Sequence, residues 1–167
     1  NALCRLYYAH LLTCLRRHDE ASIQANLGLE LDPLEPVVLG LYGVVMLDIG
    51  DYPSAVEHLE KSHSINPEFG FTSFHLLRAY RWAQQYDDWI KLWKQLSCWD
   101  EEHKMSVEKT LNEQGYVAAV KALLKINEKF GRKGCQMSIG MKKMWYIEAE
   151  EYDKAFGFAE KANIASK

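Results

Sequence analysis

The residues able to do chemistry are scattered along the chain. Six histidines stand at His10, His18, His58, His63, His75 and His103. His58 and His63 are five apart, off the i, i+4 spacing that puts two ligands on one helical face. No HExxH, CxxC or paired Cys–His cluster occurs, so no metal is expected. There is no GxSxG elbow and no glycine-rich phosphate loop; the turn Gly131-Arg132-Lys133-Gly134 is too short and no Ser/Thr cradle follows it. Glu148, Glu150 and Glu151 form an acidic run around a turn, the pattern of a solvated surface. Because no acid, base and nucleophile converge, the chain is expected to bind rather than to catalyse, with no cofactor. The cysteines Cys4, Cys14, Cys98 and Cys135 show no close pairing. The expectation is four reduced, mostly packed thiols, which favours a reducing, cytoplasmic compartment.

The elements that carry these residues must be helical. Hydrophobic residues make up 48% of the 167 and charged residues 26%, with only four prolines to interrupt long helices. Twenty basic residues against 23 acidic ones give a net charge of −3, and no basic run would neutralise several phosphates. Nucleic-acid binding by this segment is therefore not expected. No apolar stretch approaches the roughly 18 residues of a membrane span. An amphipathic helix begins at once after Asn1, as in a piece of a longer chain.

An internal period organises the chain. Pro33 and Pro67 are 34 residues apart, as are Ala21 and Ala55, and Asp32 and Asn66. Apolar residues recur at helical spacing, as in Leu41, Val44 and Leu47. The residue before a proline is pushed out of the helical region, so Asp32-Pro33 and Asn66-Pro67 end helices. Gly50-Asp51-Tyr52-Pro53 makes a tight turn, with Asp51 as the cap and Pro53 in the first turn. The reading is ten helices and no strands: 2–16, 19–31, 36–49, 52–64, 70–84, 86–98, 101–112, 115–130, 137–149 and 152–164. Gly43 and Ala55 are small where the second pair of helices should cross closely. Leu77 and Trp89 hold the same places in the third pair, with Trp93 one turn on and Trp82 and Trp99 nearby. Large residues there should splay the pair or displace its neighbour. Two readings stay open: the tryptophans fill a wider core, or they open a pocket beside a groove.

The stretch GDYPSAVEHLEKSHSINPEF (50–69) closely resembles a tetratricopeptide repeat, and HDEASIQANLGLELDPLEP (18–36) looks like the second half of another. QYDDWIKLWKQL (85–96) and EEYDKAFGFAEKA (150–162) share the aromatic-acidic entry to the second helix. The resemblance covers essentially the whole chain and is weakest over 102–135. It implies one all-α domain over 1–167: a right-handed α-solenoid of about five stacked helix-turn-helix pairs. The repeats would be 2–35, 36–69, 70–101, an irregular 102–135 and 136–164. Such pairs bury their apolar faces only by stacking on neighbours. The order of features is similar to the helical sensor arrays of bacterial regulators.

The family places its ligand on the concave face, lined by the first helix of each pair. Carried over position by position, that implies Leu3, Leu6, His10 and Thr13 in the first repeat, then Val37, Gly40, Val44 and Leu47 in the second. The third gives Phe71, Phe74, Arg78 and Arg81, with Trp82 adjacent. The site expected to bind a partner is Leu6, His10, Val37, Val44, Phe71, Phe74, Arg78, Arg81 and Trp82. Arg78 and Arg81, at i and i+3, can present two guanidinium forks to a carboxylate, or can simply pair with nearby acids. The Lys/Asn clamp that some relatives close on a C-terminal carboxylate is not matched, since Leu6, His10 and Gly40 replace it. The expected function is a scaffold that takes a peptide or protein segment in this groove. The alternatives are self-association through apolar end repeats, giving a homo-oligomer, and a small-molecule sensor built on the third repeat's tryptophans.

Overall fold

A computed structural model describes residues 1–130 and 139–157. The helices are α1 (Ala2–Cys14), α2 (His18–Leu31), α3 (Pro36–Ile49), α4 (Tyr52–Ile65), α5 (Gly70–Trp82), α6 (Tyr86–Leu96), α7 (Glu101–Gln114), α8 (Tyr116–Phe130) and α9 (Ile139–Glu148). Residues 152–157 are helical as well. No strand occurs among the described residues; α1 to α5 pack each on the next, as do α7 to α9. The expected helices are therefore present to within about two residues at each end, while 137–138 and 158–164 lie outside the described residues. No helix among the described residues is long and apolar enough to cross a membrane. The chain divides into two compact units, Asn1–Trp93 and Lys94–Lys167.

The first unit is held in register by its helix ends. Asn1 Oδ1 accepts from the Leu3 and Cys4 amides at the start of α1, Glu35 from Val38 at α3, and Asp51 from Ser54 at α4. Each satisfies an amide that would otherwise have no partner in its helix. Inside each pair the turn is built the same way. Arg16, Gly50 and Gln84 stand 34 residues apart, and all have left-handed backbone, with φ of 59°, 93° and 60°. The following amide reaches back five residues, from Arg17 to Leu12 O, Asp51 to Met46 O and Gln85 to Tyr80 O, at 2.8–2.9 Å. This is a Schellman-type closure. The next helix then opens with Ala21, Ala55 and Trp89 bonded to the turn's last carbonyl, at 3.0 Å each. The 34-residue period of the sequence is thus a period of backbone geometry across three pairs.

Packing between paired helices follows side-chain size. A Cβ added to Gly43 would fall 2.6 Å from Leu59 Cγ and 3.2 Å from the Ala55 carbonyl, so α3 and α4 touch nearly backbone to backbone there. In the first pair the relation runs through Gly28, whose absent side chain leaves room for Leu6, 3.0 Å from that Cβ position. The second pair reverses it. Gly40 lies opposite Ser62 and Thr72, and the Ser62 hydroxyl donates to the Pro36 carbonyl (2.7 Å) and meets Thr72 Oγ1 at 2.9 Å. In the third pair Leu77, Trp89 and Trp93 are all buried, and the two indoles stack with centroids 6.3 Å apart. Their burial favours the core-filling reading of the tryptophans.

The second unit follows the same rules less regularly. Asp100 caps α7 by accepting from the His103 amide, and α7 ends at Gly115, whose backbone (φ 85°) differs from the turns of the first unit. Glu150 (φ 61°) and the Glu151-to-Tyr146 bond of 2.8 Å restore the Schellman-type turn after α9. Tyrosines bolt successive pairs together in both units: Tyr42 donates to Asn26, Tyr80 to Glu60 and Tyr146 to Glu128. Burial, reinforced by the neighbouring carboxylate, pushes the Tyr80 and Tyr146 hydroxyls well above their usual range, so they stay protonated donors.

The cysteines correct one expectation. Cys4 and Cys14 are free but exposed rather than packed, and Cys98 is disulfide-bonded rather than a thiol.

Candidate functional site

The first helices of three successive pairs meet around one aspartate. α3 packs against both α1 and α5. From α1, His10 Nδ1 lies 3.4 Å from Asp48 Oδ2 on α3; from α5, Arg78 Nη2 lies 3.8 Å from Asp48 Oδ1. Arg78 Nη1 also donates to His75 Nδ1 at 3.0 Å. A ring nitrogen that accepts from a guanidinium is unprotonated, so His75 carries its proton on Nε2. Burial, then the positive charge of Arg78, then His10, hold the His75 imidazole down to about 3, and it stays neutral at ordinary pH. Phe71 lies tilted against the ring and Phe74 edge-on to it, with centroids 4.5 and 5.1 Å away.

Arg78 is the unusual member. Its side chain is only 27% exposed, and Asp48 beside it 25%. A guanidinium has five N–H donors and is costly to bury unless paired. Among the described residues its close hydrogen bond goes to a neutral imidazole, and its carboxylate partner sits beyond hydrogen-bond distance. The cluster therefore holds a positioned, partly exposed cation beside two aromatic rings.

The residues expected from the sequence divide into four groups. His10, Phe71, Phe74 and Arg78 come together here. Leu6 and Val44 do not, because both are buried in the core; Leu6 fills the space that Gly28 leaves. Val37 is half-buried in the first turn of α3. Arg81 and Trp82 form a separate feature: the Arg81 guanidinium lies 5.5 Å from the Trp82 ring, and Trp82, half exposed, stacks on Tyr52 at 6.0 Å. The two arginines are thus engaged in different places, Arg78 on Asp48 and His75, Arg81 on its neighbouring indole. Asp48 and His75 escaped the sequence reading. Both signals were present in the spacing, since Asp48 stands one turn past Val44 and His75 three residues before Arg78. No family model matches the chain, and no curated protein matches it.

Proposed function

We propose that the chain is a binding scaffold whose inner surface over α1, α3 and α5 takes an extended or helical segment of a partner protein. What carries this reading is Arg78, a partly exposed guanidinium that donates to His75 and stands beside Phe71 and Phe74. Aromatic anchors around a partly desolvated arginine are the usual makings of a binding hot spot. The tetratricopeptide resemblance, with its implied place as the sensing or docking part of a bacterial regulator, points the same way.

The test is capture of partners from the source organism's lysate on the parent chain, on Arg78→Glu and on Phe74→Ala, each checked for native helix content by circular dichroism. A partner retained by the parent and lost by both folded variants fits the proposal. Equal retention on all three baits would place binding elsewhere.

A further inference from the structure

Formal charge in the first three helix pairs is sorted by row. The first helices, α1, α3 and α5, carry three arginines, Arg5, Arg78 and Arg81, against the single acid Asp48. The second helices, α2, α4 and α6, carry seven acids against three lysines. A chain of net charge −3 thus keeps a positive surplus on the helices that build the candidate site. Asp48, the one acid of that row, is held loosely. One of its oxygens lies 3.4 Å from His10 Nδ1 and the other 3.8 Å from Arg78 Nη2. A single carboxylate is therefore shared between two basic groups, and its contact with the guanidinium is longer than a hydrogen bond. Asp48 and Arg78 are both partly exposed, so the contact is open to a competitor.

Given the scaffold reading above, on which this rests, we propose that the partner segment presents an acidic side chain to Arg78 and takes the guanidinium from Asp48. In the free chain Asp48 stands in the place of that acid and sets how tightly it binds. Charge complementarity selects the sign: a row with surplus arginine attracts an acidic segment and repels a basic one. His75 orients the guanidinium by accepting from Nη1 at 3.0 Å, with Nη2 on the side of Asp48. A carboxylate that approaches Nη2 to about 2.8 Å gains the charge-assisted hydrogen bond that Asp48 lacks at 3.8 Å. Phe71 and Phe74, both partly exposed, give an apolar residue beside the acid a surface to pack on. Asp48 also decides the class of acid. It stays close to the bound group, and its charge opposes a doubly charged phosphate more than a singly charged carboxylate. A side-chain carboxylate within the segment suffices, so no free C-terminus is required.

A phage-displayed library of short random peptides is the probe. Peptides selected on the chain should be enriched in aspartate and glutamate. The tightest is then synthesised with an amidated C-terminus, and its Kd is measured by fluorescence anisotropy. Replacing its acids one at a time by glutamine should cost about ten- to a hundredfold in affinity at one position. Arg78→Gln should cost about as much, and the two changes together should cost no more than either alone. Asp48→Asn should tighten binding a few-fold, whereas an Asp48 that merely held Arg78 in place would loosen it when lost. Circular dichroism checks each variant for native helix content, and the peptide-side substitutions test the same contact if a variant misfolds. Selected peptides without acidic enrichment would overturn the proposal. So would an acidic peptide that Phe74→Ala loses but Arg78→Gln keeps, which would leave the scaffold reading standing. A chain that selects no peptide would overturn both. Tighter binding with phosphoserine in place of the contact acid, or displacement of the peptide by a single-stranded oligonucleotide, would overturn the assignment of a carboxylate.

Discussion

Lowering the pH should destabilise the first unit through His75, by an amount that follows from its surroundings. In the folded chain, burial and the nearby Arg78 and His10 hold the imidazole at about 3, against its ordinary 6.5. Between those two values the unfolded chain binds a proton that the folded chain refuses. Stability must therefore rise with pH across that window. Its contribution is complete above about 6.5 and is lost as pH falls towards 3, at close to 1.4 kcal/mol per unit. At about pH 5 the loss relative to about pH 7.5 is roughly 2 kcal/mol. That figure barely depends on how far below 4 the folded value lies, because at pH 5 the folded ring is neutral in either case.

The informative quantity is a difference between the parent and a variant that lacks the ring. His75→Asn keeps an acceptor near the place of Nδ1 for Arg78 but cannot be protonated. Urea unfolding of parent and variant at about pH 7.5 and about pH 5 should show the parent's advantage shrinking by roughly 2 kcal/mol on acidification. A histidine Cε1 proton resonance that does not titrate above about pH 5, and is missing from the variant's spectrum, would identify the ring. If the stabilities of parent and variant fell in parallel, the folded His75 would titrate like a free one, and the accepting role assigned to Nδ1 would be refuted.

The turns and crossings give two further expectations. Gln84→Gly should stabilise the chain by about 0.5–1 kcal/mol in urea unfolding, because Gln84 holds the left-handed backbone (φ 60°) that glycine holds at the equivalent Gly50 (φ 93°). Loss of stability would mean that the Gln84 side chain contributes more than its backbone strain costs. Gly43→Ala should destabilise by about 1–3 kcal/mol despite alanine's better helix propensity, since the new methyl meets Leu59 Cγ and the Ala55 carbonyl. Pairing it with Leu59→Ala should recover part of that loss in a double-mutant cycle, and strict additivity would count against the close crossing.

Helix ends were legible in the residues because local chemistry sets them. Pro33, Asp51, Asn66 and Pro67 act within a few residues of themselves, and the helices begin and end beside them. The recurring left-handed turn was only one-third legible. Gly50 announces it, but Arg16 and Gln84 adopt the same conformation with side chains that give no hint of it. There the closure between helices overrides a local preference of about 1–2 kcal/mol, as tertiary contacts commonly do. Nothing in the spacing of the tryptophans told core from pocket; burial of Trp89 and Trp93 against each other came only with the fold.

The candidate surface was harder to read, and the reason lies in how the pairs share volume. Position alone put Leu6 and Gly40 at equivalent points of the first helices. Whether such a point faces a groove or the core depends on the residue across the crossing. Gly28 leaves a hole that draws Leu6 inward, while Ser62 and Thr72 fill the space over Gly40. The small residue sits on the second helix in one pair and on the first in the next, so no fixed list of positions can describe both. Residues long enough to reach past the crossing escape this constraint. His10, Asp48 and Arg78 do so, each leaving its own helix to meet the others. A surface made that way is specified by contacts between pairs, and its chemistry depends on their alignment: shifting α5 by one turn against α3 would part Arg78 from Asp48 and leave the guanidinium with only His75.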